Sequence, residues 1–108
     1  MLSHEVIATF PVVVRYTARA GEAAALRDLV ARHWGVLHEE GLTTQRAAVV
    51  IEVDRHAGVF IEYYEWLSQE AVQTAHDHPA VRDLWDQMER IGTVEPWDGT
   101  YVAPPPGA

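Results

Sequence analysis

Along residues 59–66 the chain reads Val-Phe-Ile-Glu-Tyr-Tyr-Glu-Trp, with large apolar or aromatic side chains at both odd and even positions. In a strand, Phe60, Glu62, Tyr64 and Trp66 share one face, and Val59, Ile61, Tyr63 and Glu65 share the other. A strand with one wet face alternates apolar and polar residues, and this one does not. Directly after it, Ser68 offers a helix N-cap and Glu70 places an acid in the first turn, where the helix dipole favours one. Helices packed on one side of a small sheet leave its other side open. A second copy of the chain is the expected cover.

The remaining pattern resolves into elements on either side of this run. Residues 6–18 are apolar and β-branched and predict strand one, its regular part following Pro11, which cannot donate to a ladder. Arg15 and Tyr16 then point to opposite faces. Leu26, Leu29, Val30, His33 and Leu37 recur at helical spacing and predict a helix over 22–40, with Gly41 as its stop. Residues 43–53 predict strand two, with Arg46 and Glu52 on one face and Val49, Ile51 and Val53 on the other. A turn over 54–58 makes strands two and three an antiparallel hairpin. The next helical region is broken. One piece spans 69–77, Pro79 prevents simple continuation, and a second spans 80–91 with Val81, Leu84, Trp85, Met88 and Ile91 on one face. Gly92 stops it. Val94 and residues 97–102 supply a short fourth strand, and the proline-rich residues 104–108 form a mobile tail. The order is β-α-β-β-α-β over residues 1–103, a single domain. It is an α+β, ferredoxin-like arrangement in which a four-stranded antiparallel sheet carries its helices on one face.

Charge and composition narrow the function. The chain has 108 residues and a net charge of −8, with 16 acidic against 8 basic side chains. Every basic residue is arginine. That balance excludes a basic nucleic-acid footprint and disfavours anionic membrane surfaces. With no cysteine, disulfides, a thiolate nucleophile and a cysteine zinc site are excluded. The first ten residues lack a signal-peptide pattern, and no apolar run approaches the ~20 residues of a membrane span. The expectation is a soluble, cytoplasmic protein.

Several residues then carry a resemblance. Arg15-Tyr16 followed by Gly21, and Glu65-Trp66, Glu70-Ala71 and His76, resemble the pattern of the antibiotic biosynthesis monooxygenase-like family of the dimeric α+β-barrel superfamily. The resemblance spans roughly residues 11–102. It implies a homodimer in which two sheets pack face to face with the helices outside, and oxidation of small aromatic or polyketide-like compounds without a metal or organic cofactor. Haem-degrading members carry a Trp and a His where Trp66 and His76 stand, and an Asn at the place of Val14. This chain has no asparagine at all, which turns the resemblance away from haem.

Cofactor-free oxidation asks for a dry aromatic pocket and a base that favours the substrate anion. Histidine suits the proton step, with an unperturbed pKa of ~6.5. His33 lies inside the apolar stripe of its helix, either as a core histidine with a satisfied hydrogen bond or as an imidazole facing a pocket. His76 lies near the end of the helix that follows Trp66. Both are candidate catalytic residues, and the family position favours His76. Trp66, Tyr64, Phe60, Glu62 and Arg46 are candidate substrate-binding residues, with Glu62 placed either to orient an imidazole or to pair with Arg46 or Arg15. Trp85 and Met88, at helical spacing, read as core. His76-Asp77-His78 does not form a metal site, because positions i and i+2 do not share a helix face. No metal or cofactor is expected. The rival reading is a non-catalytic dimeric protein that binds a small hydrophobic ligand, and further rivals are a haem-binding or isomerase relative.

Overall fold

A computed structural model describes residues 9–54 and 58–96 of the chain. The elements are β1 (Phe10–Ala18), α1 (Ala23–Glu39), β2 (Val49–Asp54), β3 (Val59–Trp66), α2 (Gln69–Asp77), α3 (Pro79–Ile91) and β4 (Gly92–Pro96). The expected strand residues 6–8 and 97–102, most of the 54–58 turn and the 104–108 tail lie outside the described residues. The strands form one antiparallel sheet in the order β2-β3-β1-β4. The central pair β1–β3 is therefore joined through α1 and β2, and the chain returns through α2 and α3 to add β4 beside β1. This is the split arrangement of an α+β ferredoxin-like fold.

Register decides which side chains meet the helices. Tyr16 lies opposite Phe60, Val14 opposite Glu62 and Val12 opposite Tyr64. Directly paired residues project to the same face, so these six form the floor on which the helices sit. Burial in β3 alternates without a break, with Phe60, Glu62, Tyr64 and Trp66 as its buried set. The stripe of α1 is buried as its spacing predicts, at Leu26, Leu29, Val30, His33 and Leu37. Packing divides in two along this layer. Tyr16, Leu26, Leu29, Val30, Phe60, Leu84 and Met88 form one cluster. Leu37, Leu42, Tyr64, Trp66, Ala71, Ala75 and Val81 form the other. His33 on α1 and Glu62 on β3 fall between them, each one step along its own element from both clusters.

Strand two is shorter than the sequence predicts. Thr43 makes only an isolated bridge to Trp66, and the ladder starts at Val49. The interruption has a local cause. The Thr44 hydroxyl accepts the Arg46 backbone N–H at 3.2 Å, taking a donor that a continuous ladder would use. Arg46 consequently stands on a loop rather than on a strand face with Glu52.

The break between the last two helices is where proline requires it. Ser68 Oγ accepts the Ala71 N–H at 3.1 Å to start α2. His78 is at once the last cap of α2 and the N-cap of α3, its Nδ1 accepting the Ala80 N–H at 3.3 Å. Pro79 then takes the first helical position, where its missing N–H is not needed. At the far end Gly92 closes α3 and begins β4 at once. A Cβ there would come within 2.7 Å of the Thr17 carbonyl oxygen, so the close approach of β4 to β1 requires glycine. Arg19 ties the same corner, donating to the Arg90 carbonyl at 3.1 Å and the Glu89 carbonyl at 3.2 Å, two acceptors that the end of α3 leaves over.

The opposite face of the sheet carries Val13, Arg15, Val49, Ile51, Ile61 and Tyr63, by the same register. Val49 and Ile51 are more than half exposed, at 51% and 56%. Among the described residues no helix is long and apolar enough to cross a membrane.

Candidate functional site

At the seam between the two clusters, four polar side chains from four elements meet. Glu62, fully buried, accepts the Tyr16 hydroxyl at 2.6 Å on Oε1. His33 Nδ1 lies 2.9 Å from the same oxygen. On the other side of the imidazole, the Trp85 indole N–H donates to His33 Nε2 at 2.9 Å. An indole nitrogen only donates, so Nε2 is the unprotonated nitrogen and Nδ1 carries the proton toward Glu62. The arrangement is a carboxylate–imidazole pair with the basic nitrogen facing away from the acid. Such a pair fixes the tautomer of a histidine and stabilises the imidazolium that forms when Nε2 takes a proton.

Burial and the Glu62 charge push the Tyr16 phenol well above its usual 10.0, burial being the larger cause. The same two causes, in the same order, raise Tyr64. Both phenols are therefore neutral donors in the working range. His33 also meets the Tyr64 ring edge-on, with centroids 5.2 Å apart.

A cavity of about 530 Å³ opens on this group between sheet and helices. Val12, Val14, Tyr16, Tyr64 and Trp66 form its sheet side, and His33, Val72, His76, Trp85 and Met88 its helix side. Val94 and Pro96 of β4 and Glu89 of α3 complete the wall. Apart from the two imidazoles, two tyrosines and Glu89, the surface is apolar. Ligand cavities generally have this make-up, a mostly apolar lining with a few polar groups that fix orientation.

The expected site residues are not all on that wall. His33, His76, Tyr64 and Trp66 border the cavity, and Phe60, Glu62 and Arg46 do not. Phe60 is packed in the core cluster beside it, and Glu62 reaches the cavity only through His33. Glu62 does not pair with Arg46 or Arg15. Its partners are His33 and Tyr16, because the register turns it toward α1, whereas Arg46 Nε lies 3.1 Å from Glu65 on the other parity of β3. His76 stands at the mouth and is exposed. Its Nδ1 donates to the Val72 carbonyl at 3.1 Å, and its ring meets Trp85 edge-on at 5.2 Å.

Two members of the site were not read from the sequence as such. Trp85 counts there as core, and it does pack half-buried against both clusters, but its N–H also serves His33. Tyr16 was assigned a face and no role. Alternation along β1 separates it from Arg15, and the register with β3 puts it on the face of Glu62. Among the described residues no group of three or more His, Asp or Glu side chains is placed to hold a metal ion.

The backbone arrangement is shared with known structures. The cofactor-independent oxygenase SnoaB from Streptomyces nogalater superposes with a TM-score of 0.72 at 15% identity, over 91% of this chain and 97% of that one. Rv0793 from Mycobacterium tuberculosis gives 0.65 at 17% identity, over 90% and 100% of the two chains. An antibiotic biosynthesis monooxygenase gives 0.64 at 15% identity, over 87% and 100%. No family model and no curated protein matches the chain. The class so defined is the ferredoxin-like α+β fold of the antibiotic biosynthesis monooxygenase-like proteins, and at these identities the likeness is one of fold.

Proposed function

We propose that the protein is a cofactor-independent monooxygenase acting on a small aromatic or polyketide-like hydroxy compound, with His33 as the base and Glu62 as its positioning partner. The observation that carries this reading is the buried Glu62–His33 pair, whose basic nitrogen meets Trp85 in the wall of an aromatic cavity. The fold shared with named oxygenases supports it as analogy. In the proposed step a phenol or enol oxygen loses its proton to His33 Nε2, and the imidazolium is held between the Glu62 carboxylate and the new oxyanion. The anion passes one electron to dioxygen. The resulting radical and superoxide join through a carbon–oxygen bond, the peroxide anion takes the proton back from His33 Nε2, and the hydroperoxide loses water together with the hydrogen on its carbon to leave a carbonyl. Substrate C–H, O–H and dioxygen thus become C=O and water without a resident redox group.

Trp66 and Tyr64 serve as aromatic walls for the substrate ring in this reading. His76, at the exposed mouth and turned by its bond to Val72, has a secondary part. A second copy of the chain covers the Val49, Ile51 and Ile61 face of the sheet, giving a homodimer with one cavity in each subunit. The reading of a non-catalytic binding protein is favoured by one observation, that Nε2 of His33 is already occupied by Trp85. Oxygen uptake separates the two. With a polycyclic phenol as substrate, uptake in step with product, lost in His33→Ala, supports the oxygenase, and tight binding with no uptake supports the binding protein.

A further inference from the structure

The lone pair at His33 Nε2, on which the proposed chemistry depends, has an occupant from the protein itself. The Trp85 N–H sits on it at 2.9 Å. The indole is half-buried in the cavity wall, edge-on to Trp66 at 6.5 Å and to His76 at 5.2 Å between centroids. A hydroxyl entering the cavity reaches Nε2 only by taking the place of this N–H. An entering molecule without a donor has nothing to give back. If it parts the indole from the imidazole, it leaves a buried acceptor unpaired, which costs more than the apolar contact gains. Sites whose buried polar groups need a partner discriminate strongly against analogues lacking it.

We propose that Trp85 is a displaceable hydrogen-bond cap on His33, so that the cavity admits with preference those aromatic molecules that carry a free hydroxyl donor. The proposal rests on the reading of His33 as the group that meets the substrate hydroxyl. The wall also supplies somewhere for the displaced N–H to go. Because His76 Nδ1 donates to the Val72 carbonyl, Nε2 is the acceptor nitrogen of the neutral ring, which already lies beside the indole. Trp85 is thus a positioning residue. Before binding it holds His33 in the Nδ1–H tautomer with Nε2 shielded, and on binding it hands Nε2 to the ligand.

The test uses two probes of matched shape, 2-naphthol and 2-methoxynaphthalene, on the full-length wild type and on Trp85→Phe. Phenylalanine keeps an aromatic ring in the wall and removes the donor, and the methoxy probe controls for the smaller ring. With the cap gone, 2-naphthol should bind between about twofold and fivefold tighter, the upper figure being one net hydrogen bond of ordinary strength and the lower allowing for what the displaced N–H regains at His76. The affinity for 2-methoxynaphthalene should stay within about twofold on the same reasoning. Equal shifts for both probes, or none for either, would overturn the proposal. A second readout is independent of how well the variant tolerates the change. In ¹⁵N-labelled wild type, 2-naphthol should move the Trp85 indole N–H and His33 Nε2 resonances together, and 2-methoxynaphthalene should leave the pair in place. If His33 Nε2 resonates identically in wild type and Trp85→Phe without any probe, there is no cap, whatever the affinities do. These are binding and spectroscopic signals. Hydroxyl preference without any oxygen uptake would leave the cap standing and remove the oxygenase, and His33-dependent uptake without hydroxyl preference would do the reverse.

Discussion

His33 and Glu62, 29 positions apart, meet through Nδ1 and Oε1 at 2.9 Å in a layer where almost everything else is apolar. Both side chains are closed to solvent, at 2% and 0% exposure. Their meeting follows from two periods running side by side. One turn on either side of His33 are Val30 and Leu37, and two residues on either side of Glu62 are Phe60 and Tyr64. Each polar residue replaces one core position of its element, and the packing brings the two replaced positions together.

A buried carboxylate with two donors on it is expensive to disturb. Glu62→Ala removes the acceptor from both Tyr16 and His33 and opens a void, and it should lower the unfolding free energy by about 3–5 kcal/mol. Tyr16→Phe removes one hydrogen bond to a charged group and should lower it by about 1.5–3 kcal/mol. Urea unfolding followed by circular dichroism measures both. A loss below about 1 kcal/mol for Glu62→Ala would mean that the carboxylate is hydrated and the pair is not a buried one.

The tyrosines give the pH dependence a definite sign. Both Tyr16 and Tyr64 have folded-state pKa values raised above their usual 10.0. Below that pH the phenols are protonated in both the folded and the unfolded chain, and their contribution is fully present. Above it the unfolded chain loses protons that the folded chain keeps, so stability falls as pH rises. The slope should be about 1.4 kcal/mol per pH unit for each of these tyrosines. Urea midpoints taken at successive alkaline pH values should therefore fall steeply, and the fall should be shallower in Tyr16→Phe.

Much of this was legible from spacing alone. The stripe of α1, the helix break before Pro79 and the order of strands and helices along the chain follow from period and from proline chemistry, whereas the alternating burial of β3 is hidden by aromatic residues at both parities. The layer that spacing cannot reach is pairwise. Register decides that Glu62 faces α1 and that Tyr16 stands beside it. Arg46 was misplaced because the Thr44 hydroxyl, a local competitor for one N–H, removes it from the strand. Trp85 packs against both clusters, as its spacing predicts, but helical spacing says which face a residue is on and is silent about where the indole nitrogen points. The orientation of His33, its proton on Nδ1 and its lone pair on Nε2, comes only from its two partners, one on β3 and one on α3.

The open face of the sheet makes its own prediction. Val49 and Ile51 are more than half exposed, and Val13, Ile61 and Tyr63 lie on the same surface. Contiguous apolar surface of this kind marks an interface. Sedimentation at micromolar concentration should give a mass near twice the 12.1 kDa chain. Ile51→Glu places a charge on that face without touching the cavity, and it should yield monomer at the same concentration. A monomeric wild type would require another cover for the sheet.

The two histidines separate by what holds them. His33 has an acid behind Nδ1, an aromatic floor and a buried Nε2 held by the Trp85 N–H in the cavity wall. His76 has a backbone carbonyl behind Nδ1 and stands exposed at the mouth. A carboxylate stabilises the imidazolium that a base must become. A single carbonyl dipole does so less, and water at the mouth competes for the proton. Once a phenolic substrate supports oxygen uptake, His33→Ala should lower kcat by about 10²–10⁴-fold, the usual contribution of a positioned base. His76→Ala should lower it by less than about tenfold, because its proton acceptor can be replaced by solvent. The pairing has its own signature. In Glu62→Gln the imidazole keeps a partner of the same shape but loses the charge, so kcat should fall while KM changes little. If His76→Ala abolishes uptake and His33→Ala leaves it intact, the roles are reversed and the buried pair is a structural one. If both variants keep full activity, neither imidazole is the base, and the anion must form without one.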